Sequence, residues 1–123
     1  MGSGPNKALL IVDGSPLIID RLIDSLKDHE TIGHVSTAVD YNKAVEVLGT
    51  KKIDIAMLDI QLIGKNGIDL LKFIVKEYPD IKVIMLSNLT SDYYISLCKK
   101  IGARHFLDKS KDFELIPGIL AAF

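Results

Sequence analysis

Five short apolar runs, separated by segments whose apolar residues recur at helical spacing, constrain this chain more than any other feature. The runs are Ala8–Val12, Ile32–Ser36, Ile53–Leu58, Ile81–Leu86 and His105–Leu107. Three of them carry continuous apolar stretches (ALLIV, IAML, VIML), the pattern of strands buried on both faces. Between them the period changes. Ser15 and Pro16 suit an N-cap and a first helical position, and Ile18, Ile19, Leu22, Ile23 and Leu26 follow as one stripe. A second helix over Tyr41–Leu48 is expected to bury Ala44, Val45 and Leu48. A third, after Asn66-Gly67, buries Ile68, Leu71, Ile74 and Val75 and stops before Pro79. The fourth, Ser91–Ile101, presents Tyr94, Leu97, Cys98 and Ile101 inward and ends at Gly102, a C-terminal cap. A fifth begins near Asp112, where Pro117 lacks a backbone donor and predicts a kink or a late start. Strand–helix alternation with short loops implies right-handed crossovers and a parallel sheet covered on both faces. The expected fold is a single three-layer α/β domain.

Composition removes several function classes. With 15 basic and 16 acidic residues and a net charge of -1, the chain has no Lys/Arg-rich run to hold nucleic acid or an anionic membrane surface. Cys98 is the only cysteine, so an internal disulfide and a CxxC site are both excluded, and a reducing, cytoplasmic setting is expected. Nothing resembles a signal peptide or a spanning helix. Residues 1–6 read as a disordered tail or cloning remnant, leaving 7–123 as the domain. His29, His34 and His105 show no metal-ligand spacing, and Asn88-Leu89-Thr90 fits a glycosylation sequon that short sequences often match by chance. After the first strand, Asp13-Gly14-Ser15-Pro16-Leu17 is too short and too acidic for a Walker or dinucleotide loop, which ranks a nucleotide-binding protein or hydrolase last.

In such sheets ligands bind beyond the carboxyl ends of the strands, so the residues where each apolar run stops carry the information. They are Asp13, Asp59, Ser87 and Lys109, after the first, third, fourth and fifth runs. Singly, each has an ordinary explanation as a turn cap or a solvated charge. Together they place two carboxylates, a hydroxyl and an ammonium in one register on one rim. That set suits a small hard cation with a phosphate: carboxylates for the metal, metal and lysine for phosphoryl oxygens.

With these residues in view, the chain resembles the receiver domain of bacterial two-component response regulators, from about Lys7 to the end. LLIVDGSPLI resembles the first strand and its acidic turn, and IDIAMLDIQLIGKNGIDLL the phosphoacceptor strand and loop, down to Gly67 eight residues after Asp59. VIMLSN supplies the Ser/Thr position and GARHFLDKS the aromatic and lysine of the last strand. The resemblance implies a CheY-like, flavodoxin-like (βα)5 fold with sheet order 2-1-3-4-5. It implies Asp59 as phosphoacceptor from a sensor histidine kinase, a phosphotransfer protein or a small phosphodonor. It also implies Mg²⁺ held by Asp13, Asp59 and the backbone carbonyl of Gln61. Lys109 would contact the phosphoryl group, and Ser87 and Phe106 would couple it to the face of the fourth helix, fifth strand and fifth helix, where a homodimer is expected. Any enzymatic activity would be limited to self-catalysed phosphotransfer and dephosphorylation. An output domain would either lie outside this chain or be dispensed with.

Three positions depart from the family. The first strand usually ends in two acids, the second ligating the metal directly; here Asp13 is followed by Gly14, which weakens the expected Mg²⁺ site. Either a water fills the gap or Asp13 swings in, because glycine frees the backbone. Asp20 and Asp24 lie too far along the first helix to compensate, and alternation points Asp108 away from Lys109. Ile63 stands where a proline is common, and Asn88 follows Ser87 where a small residue is usual. Gly14 therefore keeps open an alternative, a pseudo-receiver acting as an interaction module without phosphorylation.

Overall fold

A computed structural model describes residues 6–123, so residues 1–5 of the expected tail lie outside the described residues. The elements run β1 (Lys7–Val12), α1 (Pro16–Leu26), β2 (Ile32–Ala38), α2 (Tyr41–Thr50), β3 (Ile55–Leu58), α3 (Gly67–Glu77), β4 (Lys82–Ser87), α4 (Asp92–Ile101), β5 (His105–Asp108) and α5 (Ile116–Ala121). A 3-10 turn, Phe113–Leu115, leads into α5. The five strands form one parallel sheet in the order β2-β1-β3-β4-β5, as expected. Pro117 sits in the first turn of α5, where its missing N–H costs nothing, and it delays the helix as its chemistry predicts. No helix among the described residues is long and apolar enough to cross a membrane.

Strand alternation divides the core in two. Leu10, Val12, Ala56, Leu58, Val83 and Met85 face α2, α3 and α4, whereas Leu9, Ile11, Ile55, Met57, Ile84 and Leu86 face α1 and α5. Each of these side chains is essentially fully buried, and burial of one Leu or Ile contributes about 1.5–3 kcal/mol. Several expectations need correction. Ile23 and Val75, placed on inward stripes, are exposed, while Val47 and Leu70 are buried instead. An α-helix drifts relative to any short repeat, so residues at a stripe's edge rotate out and their neighbours rotate in. On α4 only Cys98 is fully buried; Tyr94, Leu97 and Ile101 pack half-exposed against the core, because α4 flanks the sheet near its β5 edge. β3 begins at Ile55 rather than Ile53. Asp54 precedes it, with its Oδ2 accepting the Ala8 N–H at 2.8 Å and its own N–H donating to the Ala8 carbonyl at 2.9 Å.

Candidate phosphoacceptor site

The sheet register carries the rim residues to one place. Val12 lies opposite Ala38 on one side and Leu58 on the other. The ladder continues past the strand ends: the Asp13 N–H donates to Ala38 O at 3.1 Å, Asp59 N–H to Val12 O at 2.9 Å, and Lys109 N–H to Ser87 O at 3.0 Å. Alternation then sorts the side chains. Asp13 follows Leu9 and Ile11, Asp59 follows Ile55 and Met57, and Lys109 follows Leu107, all on the α1/α5 side. Ser87 and Phe106 have the opposite parity.

The consequence is a buried ion-pair bridge. Lys109 Nζ lies 2.7 Å from Asp13 Oδ2 and 2.9 Å from Asp59 Oδ2, so one ammonium joins two carboxylates. Asp13 and Asp59 are only 3% and 6% exposed. Burial by itself would lower the pKa of Lys109, but the hydrogen bonds and charges of Asp13 and Asp59 outweigh it and hold the ammonium above its ordinary range. The second oxygens differ. Asp13 Oδ1 accepts the Ser15 N–H at 2.8 Å, so Asp13 also caps its turn; Asp59 Oδ1 is buried with no hydrogen-bond partner among the described residues. A buried carboxylate oxygen without a donor is unusual, and its lone pairs remain available to a cation or an electrophile.

The loops around Asp59 explain two glycines. Asn66 and Asp69 form a capping box: Asn66 Oδ1 accepts the N–H groups of Ile68 and Asp69 at 2.9 Å each, and Asp69 Oδ2 accepts the Asn66 N–H at 3.1 Å. This brings the start of α3 onto the phosphoacceptor strand, with Gly67 N–H donating to Ile60 O at 2.8 Å. A Cβ on Gly67 would overlap the Asp59 carbonyl, so the glycine permits a close backbone approach that fixes Asp59 from behind. Gly14 plays a different part. Its φ is not positive, so it uses no conformation closed to other residues, and the idea that it frees the backbone is not needed. A Cβ there would stand 3.8 Å from Gln61 O and 3.9 Å from Val39 O, in ordinary van der Waals contact.

Ser87 is fully buried at the end of β4, and its Oγ accepts the Leu89 N–H at 3.1 Å, turning the chain toward α4. Its side chain makes no hydrogen bond to Asp59 or Lys109. Phe106 lies opposite Met85, half-buried against the α2–α4 core. Gln61 is exposed, and its carbonyl faces the side on which a residue-14 side chain would stand. Two carboxylates, one with an orphaned oxygen, and this carbonyl are hard donors that fit Mg²⁺, though Lys109 already occupies one oxygen of each acid. Among the described residues no group of three or more His, Cys, Asp or Glu gathers around the site.

A family model for the response regulator receiver domain matches residues 9–120. The chain belongs to that family. Among curated relatives of this receiver domain, the Fimbriae Z protein of Escherichia coli K12 is 27% identical over 94% of the chain and 57% of its own length. A protein-glutamate methylesterase/protein-glutamine glutaminase of Clostridium acetobutylicum is 31% identical over 87% of the chain and 32% of its own length. The chain thus spans about half or less of these longer relatives. Solved structures share the fold. The isolated REC domain of RcsB from Salmonella enterica serovar Typhimurium, with phosphomimetic BeF3⁻, has a TM-score of 0.89 at 22% identity, over 95% of this chain and 87% of that one. The BeF3-activated DrrB receiver domain has a TM-score of 0.84 at 19% identity, over 94% and 95%. The elements that position the site were legible in advance. The double engagement of Lys109 and the orphaned Asp59 oxygen were not, since both depend on how three distant segments converge.

Proposed function

We propose that this receiver domain accepts a phosphoryl group on Asp59 from a phosphohistidine of a sensor kinase or phosphotransfer protein in the cytoplasm. The observation that carries the reading is the Asp13–Lys109–Asp59 bridge with Asp59 Oδ1 unengaged. Oδ1 attacks phosphorus; the new P–O bond forms as the P–N bond of the donor breaks, and the departing imidazole nitrogen keeps the electron pair and takes a proton. A carboxylate is a weak nucleophile, so positioning and charge neutralisation supply the catalysis. Lys109 holds Oδ2 and orients the carboxylate, then follows the incoming phosphoryl oxygens. Asp13 and the Asp59 and Gln61 oxygens would hold Mg²⁺, which when bound neutralises phosphoryl charge. Ser87 Oγ, whose proton is free, donates to the phosphoryl group after transfer. That added dianion biases Ser87 and Phe106 toward a second arrangement and so alters the α4-β5-α5 face, through which a homodimer can form.

Intact mass after incubation with acetyl phosphate, with and without Mg²⁺, tests this reading against an Asp59→Asn control. One added phosphoryl group that needs both Asp59 and Mg²⁺ supports it. Gly14 and the engagement of one oxygen of each acid by Lys109 favour the second reading, a phosphorylation-independent interaction module. No mass gain with acetyl phosphate or with a phosphorylated donor protein would select it.

A further inference from the structure

Lys109 directly follows the edge strand β5 and reaches past β4 to the carboxylates that follow β1 and β3, so the origin of its side chain must be held closely. We propose that Asp108 and Asp112 are positioning residues that hold it, an inference that rests on the function proposed above. Asp108 Oδ1 accepts the N–H of Ser110 at 2.7 Å and of Lys111 at 3.2 Å, folding the chain back immediately after Lys109. Asp112 Oδ2 accepts the N–H of Asp108 at 2.8 Å, and the Asp112 N–H returns to Asp108 O at 2.9 Å. The two acids thus clasp each other around Lys109.

Two further observations point the same way. Asp112 occupies the N-cap position of the 3-10 turn yet makes no side-chain cap bond; its carboxylate is turned back to Asp108 instead. Ser110 and Lys111 are exposed, so hydrogen bonds rather than apolar burial hold this loop: the carboxylate bonds act together with the backbone bonds from the N–H groups of Lys111 and Asp112 to Asp108 O, at 3.3 and 2.9 Å. Neither acid bonds to Asp59 or to Lys109 Nζ. They act through the backbone at position 109, where a shift of about 1 Å at the reacting groups can cost up to a hundredfold in rate.

The test compares Asp108→Ala with Asp108→Asn. Both remove the same charge, but asparagine keeps an oxygen that accepts the two N–H groups. Two readouts are followed: the ¹⁵N signal of Lys109 Nζ, which needs no phosphorylation, and the rate of mass gain in acetyl phosphate. Asp108→Ala is expected to move the Nζ signal toward that of a free lysine and slow uptake about tenfold or more, with Asp108→Asn within about twofold of the native protein on both. Equal effects of alanine and asparagine, or a native Nζ signal and rate in Asp108→Ala, would overturn the proposal. If the native protein takes up no phosphoryl group, the proposed function fails while the Nζ signal still decides the positioning. Should Asp108→Ala not fold, Asp112→Ala against Asp112→Asn makes the same comparison.

Discussion

Replacing Lys109 by methionine keeps the apolar stem and removes the ammonium between Asp13 and Asp59. At contacts of 2.7 and 2.9 Å, an effective dielectric of about 20 gives roughly 6 kcal/mol of attraction for each before desolvation. Desolvating three charges offsets much of that, and removal of one partner from a buried pair leaves a net loss of about 3–5 kcal/mol. Here the loss belongs at the upper end, because two carboxylates are left facing each other. Urea unfolding near neutral pH measures it. Adding Asp13→Asn to Lys109→Met should restore about 1–2 kcal/mol by removing the like-charge contact. In the native protein the pKa of Lys109 is raised, so its stabilisation is complete below the unfolded lysine value of about 10.4 and is lost as pH rises through the folded value. The deficit of Lys109→Met relative to the native protein should therefore narrow as pH rises through the folded Lys109 value. A loss below about 1 kcal/mol near neutrality, the size of an exposed ion pair, would refute the buried bridge.

Gly67→Ala should lose at least about 2 kcal/mol by thermal or urea unfolding, because its Cβ would overlap the Asp59 carbonyl. Gly118→Ala, with nothing within 4 Å of its Cβ, should be neutral or up to about 1 kcal/mol more stable. Equal losses at the two positions would count against the close approach. In Gly14→Asp the added Cβ meets only ordinary contacts, and the carboxylate should tighten Mg²⁺ about tenfold, equivalent to roughly 1.4 kcal/mol, by amide-shift titration around Asp13, Asp59 and Gln61. An unchanged affinity would show that the missing carboxylate is not what limits the metal site.

Much of this architecture was readable from local pattern. Continuous apolar runs such as ALLIV and VIML mark strands that helices cover on both faces, and Ser15-Pro16, Asn66-Gly67 and Gly102 mark helix ends by their backbone chemistry. Asp13, Asp59 and Lys109 stood out because each follows an apolar run. The helical stripes were less exact, as exposed Ile23 and Val75 show, because burial at a stripe's edge depends on the angle at which a helix meets the sheet. Parity alone points Asp108 away from Lys109, whereas its bonds to Ser110 and Lys111 depend on a turn with no distinctive composition.

The sequence by itself determined the order of strands and helices, the parallel sheet and the acids and base on one rim. All of these follow from periodicity and from the two-faced geometry of strands. Only the tertiary structure decided that one ammonium serves both Asp13 and Asp59, that Asp59 Oδ1 is left without a partner among the described residues, and that Ser87 spends its oxygen on Leu89. A lysine side chain can reach many positions, and which carboxylates it meets is set by sheet register and twist across four strands. Those are properties of the packed chain, absent from any short stretch of it.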